Sequence, residues 1–171
     1  MITAPDRSEA APYYFTYIDK VPPGDIRTLI ESLGDDALDV FAGISEAQSS
    51  YRYAPEKWSI REVLGHIIDT ERLFVFRAMW FARGLPAELP SFDQDVAAAG
   101  AAADGRPWAG LVDEFRLVRA GSVVFFKSLP ADAWSRRGVA SGNPVTVRAL
   151  AYMTAGHVVH HVGILRERYV Q

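Results

Sequence analysis

The 171-residue chain contains no cysteine. That single absence excludes disulfides, thiolate metal ligands and a cysteine nucleophile, and leaves His, Asp and Glu to hold any metal. Positive charge is not in excess either: 18 Lys and Arg stand against 21 Asp and Glu, for a formal charge of −3. With no run of Lys or Arg, the surface offers no footprint for a phosphate backbone, and nucleic acid is not an expected partner. Nowhere does an apolar run approach the roughly 20 residues of a membrane span, so no membrane partner is expected. Residues 1–12 lack the basic-then-apolar order of a secretory leader. A cytoplasmic protein is the expectation.

What is present is ordinary globular composition, 49% hydrophobic and 23% charged, in a length that suits one domain with a substantial core. The reading is a single domain over 1–171, with 1–20 as an N-terminal extension. Asp25 precedes Ile26, Leu29, Ile30 and Leu33, then Leu38, Phe41 and Ile44, at helical spacing, with Gly34 a point where the helix could bend. Ser59-Ile60-Arg61-Glu62 has the form of a capping box and opens a second helix, whose stripe runs through Val63, Leu64, Ile67, Phe74 and Ala78 to a stop near Arg83-Gly84. Leu73, Phe76 and Trp80 carry the apolar surface round to its far side, which asks for a cover, either later chain or a second subunit.

Residues 84–106, rich in Gly, Pro and Ala, predict a long crossover with at most one short helix. A third helix follows Pro107, with Leu111, Phe115, Val118, Ser122 and Phe125 on one face, and closes at Leu129-Pro130. After a loop at Ser141-Gly142-Asn143-Pro144, a last helix runs from near Thr146 to about Tyr169. The fold expected is all-α, a four-helix bundle with a long crossover between its second and third helices.

All four histidines lie on two of these helices, His66 on the second and His157, His160 and His161 on the last. At ~100° per residue, His157 and His161 fall about 40° apart, one turn above the other, and can reach one ion together. His160 points roughly 100° away from His161, toward surface or a supporting role. Neutral imidazole is the commonest biological metal ligand, and three protein ligands leave coordination positions open. The opposing reading makes each histidine a hydrogen-bonded polar group at a helix interface. Glu71 sits in the middle of the second helix's apolar stripe and needs a partner. Two answers stand: an ion pair with an arginine such as Arg148, or a general-base role beside the metal. Asp93 and Asp95 on the crossover are helix-capping or lid residues.

The segments Lys57-Trp58-Ser59-Ile60-Arg61-Glu62-Val63-Leu64-Gly65-His66 and Ala155-Gly156-His157-Val158-Val159-His160-His161-Val162-Gly163-Ile164-Leu165 resemble the DinB-like superfamily, including its YfiT-type members. The resemblance implies a four-helix bundle, often dimeric, that binds one divalent ion, zinc or nickel or also iron, through a histidine of the second helix and an H-x-x-x-H of the last. Matched residue by residue, that pattern falls on His66, His157 and His161. Relatives include enzymes that join low-molecular-weight thiols such as bacillithiol to electrophiles, and a mycothiol-dependent maleylpyruvate isomerase. The leading expectation is therefore a metal-dependent enzyme that activates a small thiol toward a small-molecule substrate, with Glu71 as the candidate base. Metal-assisted hydrolysis is the neighbouring option, and a non-catalytic metal-stabilised dimer or small-ligand binder the competing class.

Overall fold

Four long helices carry the structure, and each starts where a side chain satisfies its first backbone amides. The computed structural model describes residues 1–169. A short α1 (Phe15–Ile18) lies in the N-terminal segment. The first long helix, α2 (Ile26–Ala42), is capped by Asp25. Next, α3 (Ile60–Ala82) opens with the expected capping box: the Glu62 amide donates to Ser59 Oγ at 3.1 Å, and the Ser59 amide donates to Glu62 Oε2 at 2.9 Å. The crossover holds one short helix, α4 (Gln94–Ala101), followed by α5 (Trp108–Lys127). The last helix, α6 (Val147–Arg168), is capped by Thr146, whose Oγ1 accepts from the Ala149 amide at 3.0 Å.

In the bundle α3 packs on α5 and α6, and α2 packs on the same two, so α2 and α3 sit diagonally. Two apolar clusters fill the interior. One joins Ile26 and Ile30 with Phe74, Phe81, Phe126 and Leu150; the other joins Phe41 with Leu64, Ile67, Phe115 and Leu165. The sequence halves that share each cluster make α3 parallel to α5, and a parallel pair requires a connection that returns along the bundle. That is why the crossover is long. Between the clusters lies a polar midplane of buried His66, Thr70, Glu71, Arg119, Ser122, Thr154 and His157.

Two parts of the chain differ from the sequence-based expectation. Residues 137–146 form a hairpin, β1 (Arg137–Ala140) and β2 (Asn143–Thr146), antiparallel with Arg137 opposite Thr146. Ser141 and Gly142 both take positive φ, 54° and 72°, as a two-residue hairpin turn demands. The crossover is stitched to it: the Leu89 amide donates to Val139 O at 3.0 Å, and the Ser141 amide donates to Leu89 O at 3.1 Å. The N-terminal segment is also integral. Glu9 is buried and accepts hydrogen bonds from Thr146 Oγ1 at 2.8 Å and from Arg148 Nε at 3.1 Å, which clamps the segment to the start of α6.

Candidate metal centre

Three imidazoles meet where α3 crosses α6. His66 Nε2 lies 3.0 Å from His157 Nε2, which lies 3.1 Å from His161 Nε2, and the three nitrogens all fall within 4.8 Å of one another. His157 and His161 share a side of α6, as their four-residue spacing dictates. His66 reaches them from the neighbouring helix. His160, by contrast, lies at the edge, with its ring 5.2 Å from Tyr17 and 5.0 Å from His161, outside the convergent set.

The arrangement fits a divalent ion. Ligand nitrogens about 2.0–2.1 Å from a metal, at angles of about 90–110°, lie about 2.9–3.3 Å from each other. Two of the nitrogen pairs are in that range. A neutral imidazole has only one N–H, and with that proton on Nδ1 the three Nε2 atoms turn lone pairs to one point, where a cation satisfies all three. His66 Nδ1 faces Thr70 Oγ1 at 3.4 Å, the kind of outer contact that holds a ligand ring with its other nitrogen bare.

Electrostatics keep these rings neutral. Burial, with His160 nearby, pushes His66 down to about 4; burial and the neighbouring His66 and His160 push His161 down to about 3. His157 is held well below the usual histidine range by burial first, then by the other imidazoles. A neutral ring is the form that ligates metal. Aromatic side chains wall the cluster: Trp58 lies 4.9 Å from His66, Tyr17 5.1 Å and Phe74 6.0 Å from His157, centroid to centroid.

Tyr17 reaches His157 because of Gly156. A Cβ at position 156 would stand 2.1 Å from Tyr17 O, so only glycine lets the N-terminal segment settle on α6 here. Tyr13 and Tyr14 come with it, and Tyr13 and Tyr17 share a hydrogen bond of 2.8 Å between their hydroxyls. These tyrosines, with His66, His157, Thr70, Leu73, Phe74, Arg77, Phe92, Gln94 and Ser141, enclose a cavity of about 140 Å³. His161 borders a second cavity, about 270 Å³, together with Trp58, Lys57 and Asp95. A larger groove of about 770 Å³, lined by Tyr51, Tyr53 and Tyr169, contains none of the histidines.

Glu71 takes the ion pair with an arginine that was one of its two expected answers, but with a different arginine. Its partner is Arg119, not Arg148: Arg119 Nη2 donates to Glu71 Oε2 at 2.7 Å, and Ser122 Oγ donates to Oε1 at 2.7 Å. Arg148 is occupied by Glu9. Five residues past His66, Glu71 points about 140° around α3 from it, toward α5, and it lines neither cavity that touches the histidines. Room for Arg119 comes from Gly34, where a Cβ would stand 2.8 Å from Arg119 Cγ. Of the two crossover acids, Asp93 caps α4 by accepting from the Asp95 and Val96 amides. Asp95 alone comes near the centre, across the second cavity from His161.

The tyrosines, Arg77 and Thr70 had no place in the sequence-based site. The glycine beside His157 and the paired tyrosines of the extension were the available signals, and neither has meaning until α1 is docked on α6.

Comparison with known proteins agrees with the fold. The YfiT protein from Bacillus subtilis, described as a probable metal-dependent hydrolase with an unusual four-helix bundle topology, superposes with a TM-score of 0.71 at 14% identity, over 95% of this chain and 89% of that one. A mycothiol-dependent maleylpyruvate isomerase superposes with a TM-score of 0.68 at 16% identity, over 80% of this chain. The match spans only 58% of the isomerase. A search of curated proteins finds no match. No helix among the described residues is long and apolar enough to cross a membrane. Residues 18–165, which contain α2, α3, α5, all but the last turn of α6 and all three convergent histidines, match the DinB superfamily, and the chain belongs to that superfamily.

Proposed function

We propose that His66, His157 and His161 hold one divalent ion and that the protein is a metal-dependent enzyme transferring a low-molecular-weight thiol to an electrophilic small molecule. The observation that carries the reading is the convergence of three neutral Nε2 atoms, 3.0 and 3.1 Å apart in sequence from His66 through His157 to His161, beside a cavity. When bound, such an ion supplies Lewis acidity that lowers the pKa of a thiol or a water arriving on its open side. The chain's own part is positioning. Thr70 orients His66, while Trp58, Tyr17 and Phe74 exclude water from the ligands. Glu71, occupied by Arg119 and Ser122, supports the midplane and is not assigned as the base.

Hydrolysis is the second reading, supported by the description of YfiT as a probable metal-dependent hydrolase. Nitrogen ligation suits zinc, nickel and iron alike. A second copy of the chain is the proposed partner, laid on the apolar face where Phe76 is 45% exposed beside Val75, Met79, Val118 and Phe125.

The test begins with metal analysis of untagged protein. One ion per chain is expected, lost in His66→Ala and His161→Ala and kept in His160→Ala; retention in His161→Ala would sink the site. Thiol consumption is then followed against a panel of electrophiles and ester substrates, with and without chelator. Chelator-sensitive thiol loss supports transfer, and chelator-sensitive ester cleavage without thiol supports hydrolysis. No turnover in either moves the protein to a binding role. Sedimentation of the same sample is expected to give a dimer, and a monomer at micromolar concentration removes the proposed partner.

A further inference from the structure

Arg77 is the one cation among the residues that line the 140 Å³ cavity, and no carboxylate lines it. Its residue is 3% exposed, beneath a thin cover made by the crossover and the hairpin turn. The head group is only partly satisfied. Nη2 donates to Pro90 O at 2.9 Å and to Ser141 Oγ at 3.0 Å, both neutral acceptors, while the buried Nε has no hydrogen-bond partner. No ion pair to Arg77 occurs among the described residues, although Arg119, the other buried cation among them, has a carboxylate. A charge withdrawn from water without a counter-charge is costly, and such a group persists where a ligand supplies the missing partner.

We infer that Arg77 is the anchor for a small carboxylate, the substrate or cosubstrate group that the cavity admits beside the histidines. Its planar fork matches the two oxygens of a carboxylate, Tyr14 lies with its phenol against the guanidinium, and Gln94 adds a polar group to the cavity lining. Leu73, Phe74 and Phe92 add an apolar part to the lining. The volume sets the size: a cavity of roughly 150 Å³ admits benzene, so the ligand portion held here is of about six to nine heavy atoms. Tyr17 does not compete for the site as an anion, since burial and the Tyr13 hydroxyl push its phenol up. The inference rests on the proposed function only in taking this cavity as the reaction site.

Benzoate and its neutral isostere benzamide are suitable probes, titrated calorimetrically into chelator-treated protein so that no ion can serve as the anion's partner. Benzoate is expected to bind, with benzamide at least about tenfold weaker, as the loss of a charge-assisted bond implies. Arg77→Met should weaken benzoate at least about tenfold, while Arg77→Lys, which keeps the charge, should keep part of the affinity. If Arg77→Met fails to fold by circular dichroism, the benzoate-to-benzamide contrast and Arg77→Lys decide. Equal affinity for the two probes, no benzoate binding at all, or full benzoate affinity in Arg77→Met would overturn the anchor. So would binding seen only with metal present, which would place the carboxylate on the ion. One ion per chain without benzoate binding removes the anchor and leaves the metal reading. Arg77-dependent binding in a chain that takes up no ion does the reverse.

Discussion

Glu71 shows how a residue's surroundings decide its task. Both of its oxygens are occupied, one by Arg119 and one by Ser122, and it is 2% exposed. Burial pushes its carboxyl pKa up while Arg119 opposes the shift, so the pair is held together at the bundle's midplane. Breaking a buried pair by removing one charge costs about 3–5 kcal/mol, because the partner is left uncompensated. Glu71→Gln should therefore lower the melting temperature by roughly 10 °C and leave metal content at one ion per chain. Loss of metal with an unchanged melting temperature would instead return Glu71 to the metal's surroundings. The histidine pair of α6 was legible in the sequence because a four-residue spacing is a local, periodic fact. The Glu71 partner was not, because Arg119 stands 48 positions away and only tertiary packing selects it over Arg148.

Elements whose boundaries are set by local chemistry could be read directly. The capping box at Ser59 and Glu62, the Asp25 cap and the stop at Gly84, with its φ of +71°, each act within a turn of their own position. The hairpin could not, since each strand is four residues long and they include Gly138 and Pro144, too short and too interrupted for an alternating pattern. The N-terminal segment was seen as an extension for a similar reason: the contacts that dock it, Glu9 with Thr146 and Arg148 and Tyr17 with His157, are with distant parts of the chain. Its docking makes Gly156→Ala informative. The added methyl would meet Tyr17 O at 2.1 Å, and the chain must shift to relieve it, at a cost of about 1–3 kcal/mol or more. Gly163→Ala on the same helix meets nothing within 4 Å and should be neutral or stabilising by about 0.5–1 kcal/mol. Hydrogen exchange at residues 13–19 should rise in the first variant only. Equal behaviour of the two would mean that α1 is not held against α6.

At the scale of the whole molecule, the bundle places a polar layer between two apolar clusters, and three imidazoles in or beside it are bases that cannot easily take up protons. In the unfolded chain these histidines titrate near 6.5. Above that pH both states are neutral and the histidines contribute nothing to the pH dependence. Below it the unfolded state binds more protons, so stability falls as pH drops, by up to about 1.4 kcal/mol per pH unit for each histidine. For His66 the loss runs from 6.5 down to about 4, and for His161 down to about 3. Glu71 and Asp69, with their pKa values pushed up by burial, act in the opposite sense, but as two groups against three. Metal-free protein should hold its melting temperature from pH 8 to about 6.5 and lose it steadily below. Zinc should raise the melting temperature at pH 7.5, because an ion bound only by the folded state stabilises it by mass action. The same three nitrogens bind either the ion or protons, but in the folded chain protons compete only near and below about 4, so the zinc increment should persist while the metal-free protein weakens between pH 6.5 and 5 and shrink only below about 4. A metal-free protein with a flat profile between pH 7 and 5, or no zinc increment at pH 7.5, would show that the imidazoles do not converge in solution as they do here.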